Sequence, residues 1–237
     1  MNNIVITSDC NDPSALAKKE ILKNYLWDDI NWFQATESLN IGLNNNIPTE
    51  GLYTYIDGHH KIELNPFIFN RNELVWKHTI FHELMHFDNC CRYPLIKKMH
   101  TLRKIDYAIL IPCVFVIELL AWLKSYSQYQ IDVQEYYQPM QFNLNVPCHT
   151  PQAIHNLLYN YAIICAISIY KRANQSDSLI KQLRFPNEQL KKIFIDLFTA
   201  TWRTCKNVPT NETLEYFYQS DVIPATDLIG KYFGLLN

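Results

Sequence analysis

Glycine is scarce in this chain of 237 residues, at 5, against 15 Tyr and 12 Phe. So few permissive residues argue against a turn-rich all-β design and for long helices. There is no internal repeat, no low-complexity tract and no Pro/Gly/Ser-rich linker, so nothing divides the chain. Charge of one sign is lacking too: 21 Lys+Arg against 23 Asp+Glu gives a formal net charge of −2. No basic field is available to recruit nucleic acid or an anionic membrane, and neither is expected as a partner. The seven Cys form no CxxC pair, and Cys90 and Cys91 are neighbours. That is no disulfide framework; it fits a reducing compartment and buried thiols. Residues 1–14 lack a basic region followed by an apolar run, so no classical signal peptide is expected. The expected location is the cytoplasm, or a host cell reached by a route that reads no such signal.

What is present is apolar. Hydrophobic residues make up 48%, enough to offset the chain entropy of a packed core. The longest apolar stretch, residues 108–123, is shorter than the ~20 residues that span a bilayer. Pro112 and Glu118 also lie inside it. It reads as a buried core helix, and Glu118 there needs a reason. An unpaired buried carboxylate is costly or takes up a proton.

Residues 3–8 read as a strand. Asp12-Pro13 places a cap and a first-turn proline before a helix expected over residues 15–38. Gly51–Ile56 and residues 61–64 are expected to be two strands, joined by a turn of Asp57-Gly58-His59-His60. A helix follows over residues 72–91, and Pro94 ends or kinks it. The apolar helix runs from 108 to 126, with further helices over 151–172, 187–205, 212–218 and 226–233. The fold class is α+β: a small three-stranded sheet, then helices. One domain spans 1–237, with a helical C-terminal part from about residue 140.

His82-Glu83-Leu84-Met85-His86 is an H-E-x-x-H sequence. On a helix, positions i and i+4 share a face, so both imidazoles can ligate one metal ion. Glu83 is then placed to take a proton from an activated water. Zinc suits imidazole donors. Eight His and eleven Glu make a chance match roughly 0.01 per chain of this composition. A catalytic zinc site needs a third protein ligand. The candidates downstream are Asp88, His100, Asp106, Glu118, Asp132 and Glu135. Asp88 points about 200° around the helix from His86 and reads as a solvated or supporting group. Glu118 is the better ligand, because a metal bond makes its burial tolerable. The 32 residues between His86 and Glu118 leave room for one helix to end and a second to cross it.

The HExxH helix followed by a helix donating Glu118 resembles the gluzincin branch of the zincin metallopeptidases. The string Glu118-Leu119-Leu120-Ala121-Trp122 is similar to the E-x-x-A pattern on the glutamate helix of such enzymes. Lys61-Ile62-Glu63-Leu64-Asn65-Pro66 resembles the edge strand that zincins run antiparallel to bound substrate. The resemblance covers residues 50–125. His86 is followed by Phe87-Asp88-Asn89-Cys90-Cys91, not the metzincin H-x-x-G-x-x-H. Ile117 precedes Glu118, so the thermolysin-type N-E-x-x-S-D is absent, and no acidic partner is assigned to His82 or His86. The HELxH form and small size also resemble bacterial toxin and secreted effector zinc proteases, and repressor-cleaving peptidases. The resemblance implies a zincin-like fold and Zn²⁺ on His82, His86 and Glu118. It implies Glu83 as general base and a protein or peptide substrate whose peptide bond is hydrolysed.

Two other functions remain: a zincin-fold binding module, or a metallohydrolase acting on a non-peptide amide. Intact Glu83 speaks against the first, since binding needs no general base, and a substrate-pairing strand against the second. The other histidines and cysteines read as ordinary. His78 shares the face of His82 and reads as structural or as a buttress. His59 and His60 fall in the turn and are expected exposed. His149 and His155 are candidates to stabilise an oxyanion, and no single tyrosine stands out for that role. Cys90 and Cys91 are not expected to ligate. Lys97-Lys98 and Arg103-Lys104 read as a solvated basic stretch.

Overall fold

The structure, a computed structural model, describes residues 3–8, 13–102, 107–146, 150–171 and 179–235. It is α+β and mostly helical, with a small mixed sheet. β1 (Ile4–Ser8) leads to α1 (Pro13–Asn24), which passes into a wider π-turn over Tyr25–Asp29. β2 (Leu39–Leu43), β3 (Gly51–Ile56) and β4 (His59–Leu64) complete the sheet. α2 (Glu73–Arg92), α3 (Pro94–Leu102), α4 (Tyr107–Gln128), α5 (Gln134–Asn145) and α6 (Pro151–Tyr170) follow. The chain continues through α7 (Leu179–Gln182), α8 (Glu188–Cys205), α9 (Asn211–Phe217) and α10 (Ile223–Tyr232).

The α-helix expected over residues 15–38 ends at Asn24, and its helical continuation stops with the π-turn at Asp29; residues 30–38 are irregular and lead into β2. Leu39, Ile41 and Leu43 of β2 are buried between β1 and β4 in parallel register. The sheet therefore has four strands in the order β1-β2-β4-β3, not three. β4 is interior, and the edges are β1 and β3, the latter antiparallel to β4. This corrects the expectation that residues 61–66 form the edge. The hairpin turn is also tighter than expected. Asp57 (φ 52°) and Gly58 (φ 83°) make a two-residue turn whose left-handed backbone matches the strand twist. His59 and His60 thus join β4. By strand alternation His59 stays exposed, while His60 turns inward with Ile62 and Leu64 and is only 3% exposed. Asp12 lies outside the described residues.

α2 starts where the Asn72 side chain accepts the Leu74 backbone N–H at 2.8 Å. Pro94 does not kink it; it opens α3 as a first-turn proline. Ile80 and Leu84 are fully buried, and α2 packs on β3 on one side and on α4 on the other. From Pro112 to Trp122 every side chain of α4 is buried, so the apolar stretch is a core helix. α6 lies along α4. Among the described residues α6 is the helix long and apolar enough to cross a membrane, and 72% of that stretch is buried inside the fold. One buried apolar cluster runs from Ile4 of β1 to Ile229 of α10.

Candidate metal centre

The packing of α4 across α2 brings three polar atoms together in an apolar setting. His82 Nε2 and His86 Nε2 are 3.0 Å apart, one helical turn from each other. Glu118 Oε2 is 3.3 Å from the first and 3.7 Å from the second. All three residues are buried, Glu118 to 5% exposure. Two imidazole nitrogens and a carboxylate oxygen this close need a proton or a cation between them, and a cation can take that place. Four-coordinate zinc with ~2.0–2.1 Å bonds spaces its ligands about 3.3 Å apart, and the observed separations bracket that value. The donor set therefore fits zinc. Of the other downstream candidates among the described residues, none joins this group. Asp88 pairs with Lys124 of α4 and lies 3.5 Å from Arg92, tying the two helices below the site. His100 of α3 packs edge-on against Tyr53, with its ring 6.0 Å from that of His86. Asp132 and Glu135 line the cavity mouth and are exposed. Asp106 lies outside the described residues.

Proton and cation would compete for His82. Burial pulls its imidazole down, but the hydrogen bond and charge of Glu118, helped by Glu83, outweigh burial and leave it above the usual value. The second ring nitrogen, His82 Nδ1, is buried without a hydrogen-bond partner among the described residues.

The three atoms open into a cavity of about 460 Å³. Glu83 lines it, and its side chain stands against the backbone of Gly51 at the start of β3. β3 forms one wall with Gly51, Leu52 and Tyr53, and its outer edge has no strand partner among the described residues. Trp122 of α4, Tyr136 of α5 and Tyr159 of α6 form the opposite side. His78 is buried, its ring 4.6 Å from that of Trp122, and it lines the cavity with an unpartnered Nε2. Burial, with His82 adding to it, pushes His78 down to about 3, so the ring is neutral. Burial holds the Tyr159 hydroxyl protonated, and Glu118, Tyr136 and Glu83 push the same way. Arg71 is paired to Glu50 at 2.8 Å on the rim. His155 does not line this cavity, and His149 lies outside the described residues.

Behind β3 lies a second polar group. Tyr53 Oη is 2.6 Å from His60 Nδ1, and His60 Nε2 is 3.0 Å from Glu37 Oε2. Lys97 Nζ reaches both Glu37 oxygens, at 3.0 and 3.2 Å. A carboxylate only accepts, so His60 Nε2 carries the proton and Nδ1 accepts from the Tyr53 hydroxyl. The Tyr53 ring is stacked 6.2 Å from the His86 ring, so this chain braces the site from the rear. Cys91 lies near enough to join Glu37 and His60 as a ligand set. Its thiol is pushed up to about 11 by burial, and Lys97 already balances Glu37.

Sequence reading placed His82, Glu83, His86 and Glu118, but not Gly51, Tyr136, Tyr159 or the Tyr53–His60–Glu37 chain. A lone Gly before an aromatic strand was the one available signal, since strand glycines mark close approach by another group. No protein-family model, curated protein or solved structure matches the chain.

Proposed function

We propose that this protein is a zinc-dependent metalloendopeptidase of the gluzincin kind, on a zincin-like fold. The observation that carries the reading is the buried convergence of His82 Nε2, His86 Nε2 and Glu118 Oε2 within 3.7 Å at the floor of an open cavity. These three residues would hold the ion. Zinc held by such donors supplies Lewis acidity and lowers the pKa of water to about 7. The chain's own groups do the rest. Glu83 takes a proton from the attacking water and returns it to the departing amine. The Tyr159 hydroxyl, kept protonated by burial, is a donor for a carbonyl oxygen that gains negative charge. The free edge of β3 can pair with an extended peptide backbone and hold it across the cavity. That edge favours a peptide over a small non-peptide amide. Trp122 and Tyr136, edge to face at 4.9 Å, shield the site from bulk water.

The test is a proteome-wide search for new N-termini produced by wild type and by Glu83→Ala. Wild type should generate a defined set that the mutant does not. Identical sets would remove the peptidase reading.

A further inference from the structure

We infer that Gly51 is a positioning residue: its missing side chain is the slot in which the Glu83 carboxylate stands. The inference rests on the proposed role of Glu83. Gly51 opens β3, and glycine is a poor strand residue, so its presence there needs a reason. Conformation is not the reason here. The positive-φ residues among those described are Asp57, Gly58 and Gly234, so the backbone at 51 would accept any L residue. Space is the reason. A Cβ on Gly51 would lie 2.7 Å from Glu83 Cγ, 2.9 Å from Glu83 Oε1 and 3.1 Å from Glu83 Cδ. Cβ atoms do not approach heavy atoms that closely, so something must give.

The two backbones cannot separate cheaply. Gly51 is in register with the fully buried Leu64 of the interior strand β4, and the Asn65 N–H bonds Glu50 O at 2.9 Å just before it. On the other side, Glu83 lies between Ile80 and Leu84 of α2, both with no exposure. The side chain of Glu83 is therefore what moves. Gly51→Ala should turn the carboxylate out of its place and leave His82, His86 and Glu118 where they are. Metal binding then survives and proton transfer does not. A displacement of about 1 Å in a reacting group costs on the order of 10²-fold.

The contact is read without any substrate by a cycle of four proteins: wild type, Gly51→Ala, Glu83→Ala and the double variant, each purified with its metal. Gly51→Ala should lower the melting temperature when Glu83 is present. In the Glu83→Ala background the slot is empty, and the same change should be neutral or raise it, because Ala restricts the unfolded chain. Zinc content should be equal in all four. If Gly51→Ala fails to fold while the double variant folds, the inference also stands. Equal melting shifts in both backgrounds, or failure of both variants to fold, would overturn it. Absence of zinc or of cleavage in wild type would instead count against the peptidase reading, leaving the melting result to be judged alone. With a cleaved substrate in hand, Gly51→Ala should lower kcat by 10²-fold or more with KM within about twofold. Full kcat, or a loss confined to KM, would place Gly51 on the substrate strand and sink the positioning role.

Discussion

Two polar groups in this molecule each set a histidine about 3 Å from a carboxylate, and they are built oppositely. Behind β3, donors and acceptors alternate: the Tyr53 hydroxyl to His60, His60 to Glu37, and Lys97 to Glu37 at 3.0 Å. Every polar atom in that chain has a partner of the right kind. At the cavity floor, His82 Nε2 faces His86 Nε2 at 3.0 Å, with Glu118 Oε2 turned on both. Three groups that can each accept are crowded together there, inside an apolar shell. Nearness of His and carboxylate thus says little by itself. Crowding of groups that can all accept, rather than alternation of donors and acceptors, is what marks the cavity group as the candidate metal centre.

The largest expected effects come from breaking the cavity group. His82→Ala, His86→Ala and Glu118→Gln should each take zinc content from about one equivalent to a small fraction of that, read by elemental analysis after dialysis. Breaking the brace should do something else. His60→Ala leaves the buried Tyr53 hydroxyl without its partner and should cost about 1–3 kcal/mol of stability in denaturant unfolding. Its zinc content should stay near one equivalent, and zinc loss there would merge the two groups into one site.

Acid should separate them as well. His82 sits above its usual value in the metal-free site, so proton and zinc compete for it and zinc affinity weakens as pH falls below that raised value. Glu37 moves the other way: the His60 hydrogen bond, then that of Lys97, holds it below the usual carboxylate range. The brace's contribution is full above the unfolded Glu value of ~4.3 and is lost only as pH falls through the lower folded value. Lowering pH from 8 to 5 should therefore weaken zinc binding, read by competition with a chelator, while near-ultraviolet circular dichroism of metal-free protein holds. Simultaneous loss of both signals would contradict the separation.

The smallest effect concerns Asp88. It pairs with Lys124 between α2 and α4, both partly exposed, so Asp88→Asn should cost roughly 1 kcal/mol and leave zinc affinity near wild type. A zinc affinity that falls as far as in Glu118→Gln would give Asp88 a place in the site.

The cavity group was far more legible in the sequence than the brace. His82, Glu83 and His86 lie within one turn and a half of a single helix, where spacing alone fixes their shared face. Glu118 was found because a carboxylate in an apolar helix is an anomaly that demands a partner. The brace joins residue 37 of the segment before β2 with residues 53, 60 and 97 from three elements, and no local pattern links them. β2 was missed because Leu39-Asn40-Ile41-Gly42-Leu43 mixes poor strand formers with apolar ones. Its strand character comes from parallel pairing with β1 and β4, both distant in sequence. That omission left the sheet one strand short and hid the neighbour that makes β4 interior. The expected exposure of His60 failed on a turn two residues shorter than supposed: His60 joins β4 on the same face as Ile62 and Leu64.

X-ray absorption at the zinc edge of the purified protein tests the central claim most directly. The account predicts a first shell of nitrogen and oxygen at about 2.0–2.1 Å, with two imidazole signatures and no sulfur, lost in His86→Ala. A sulfur shell near 2.3 Å would put the metal on Cys91 with His60 and Glu37, reverse the roles of the two groups, and contradict the account.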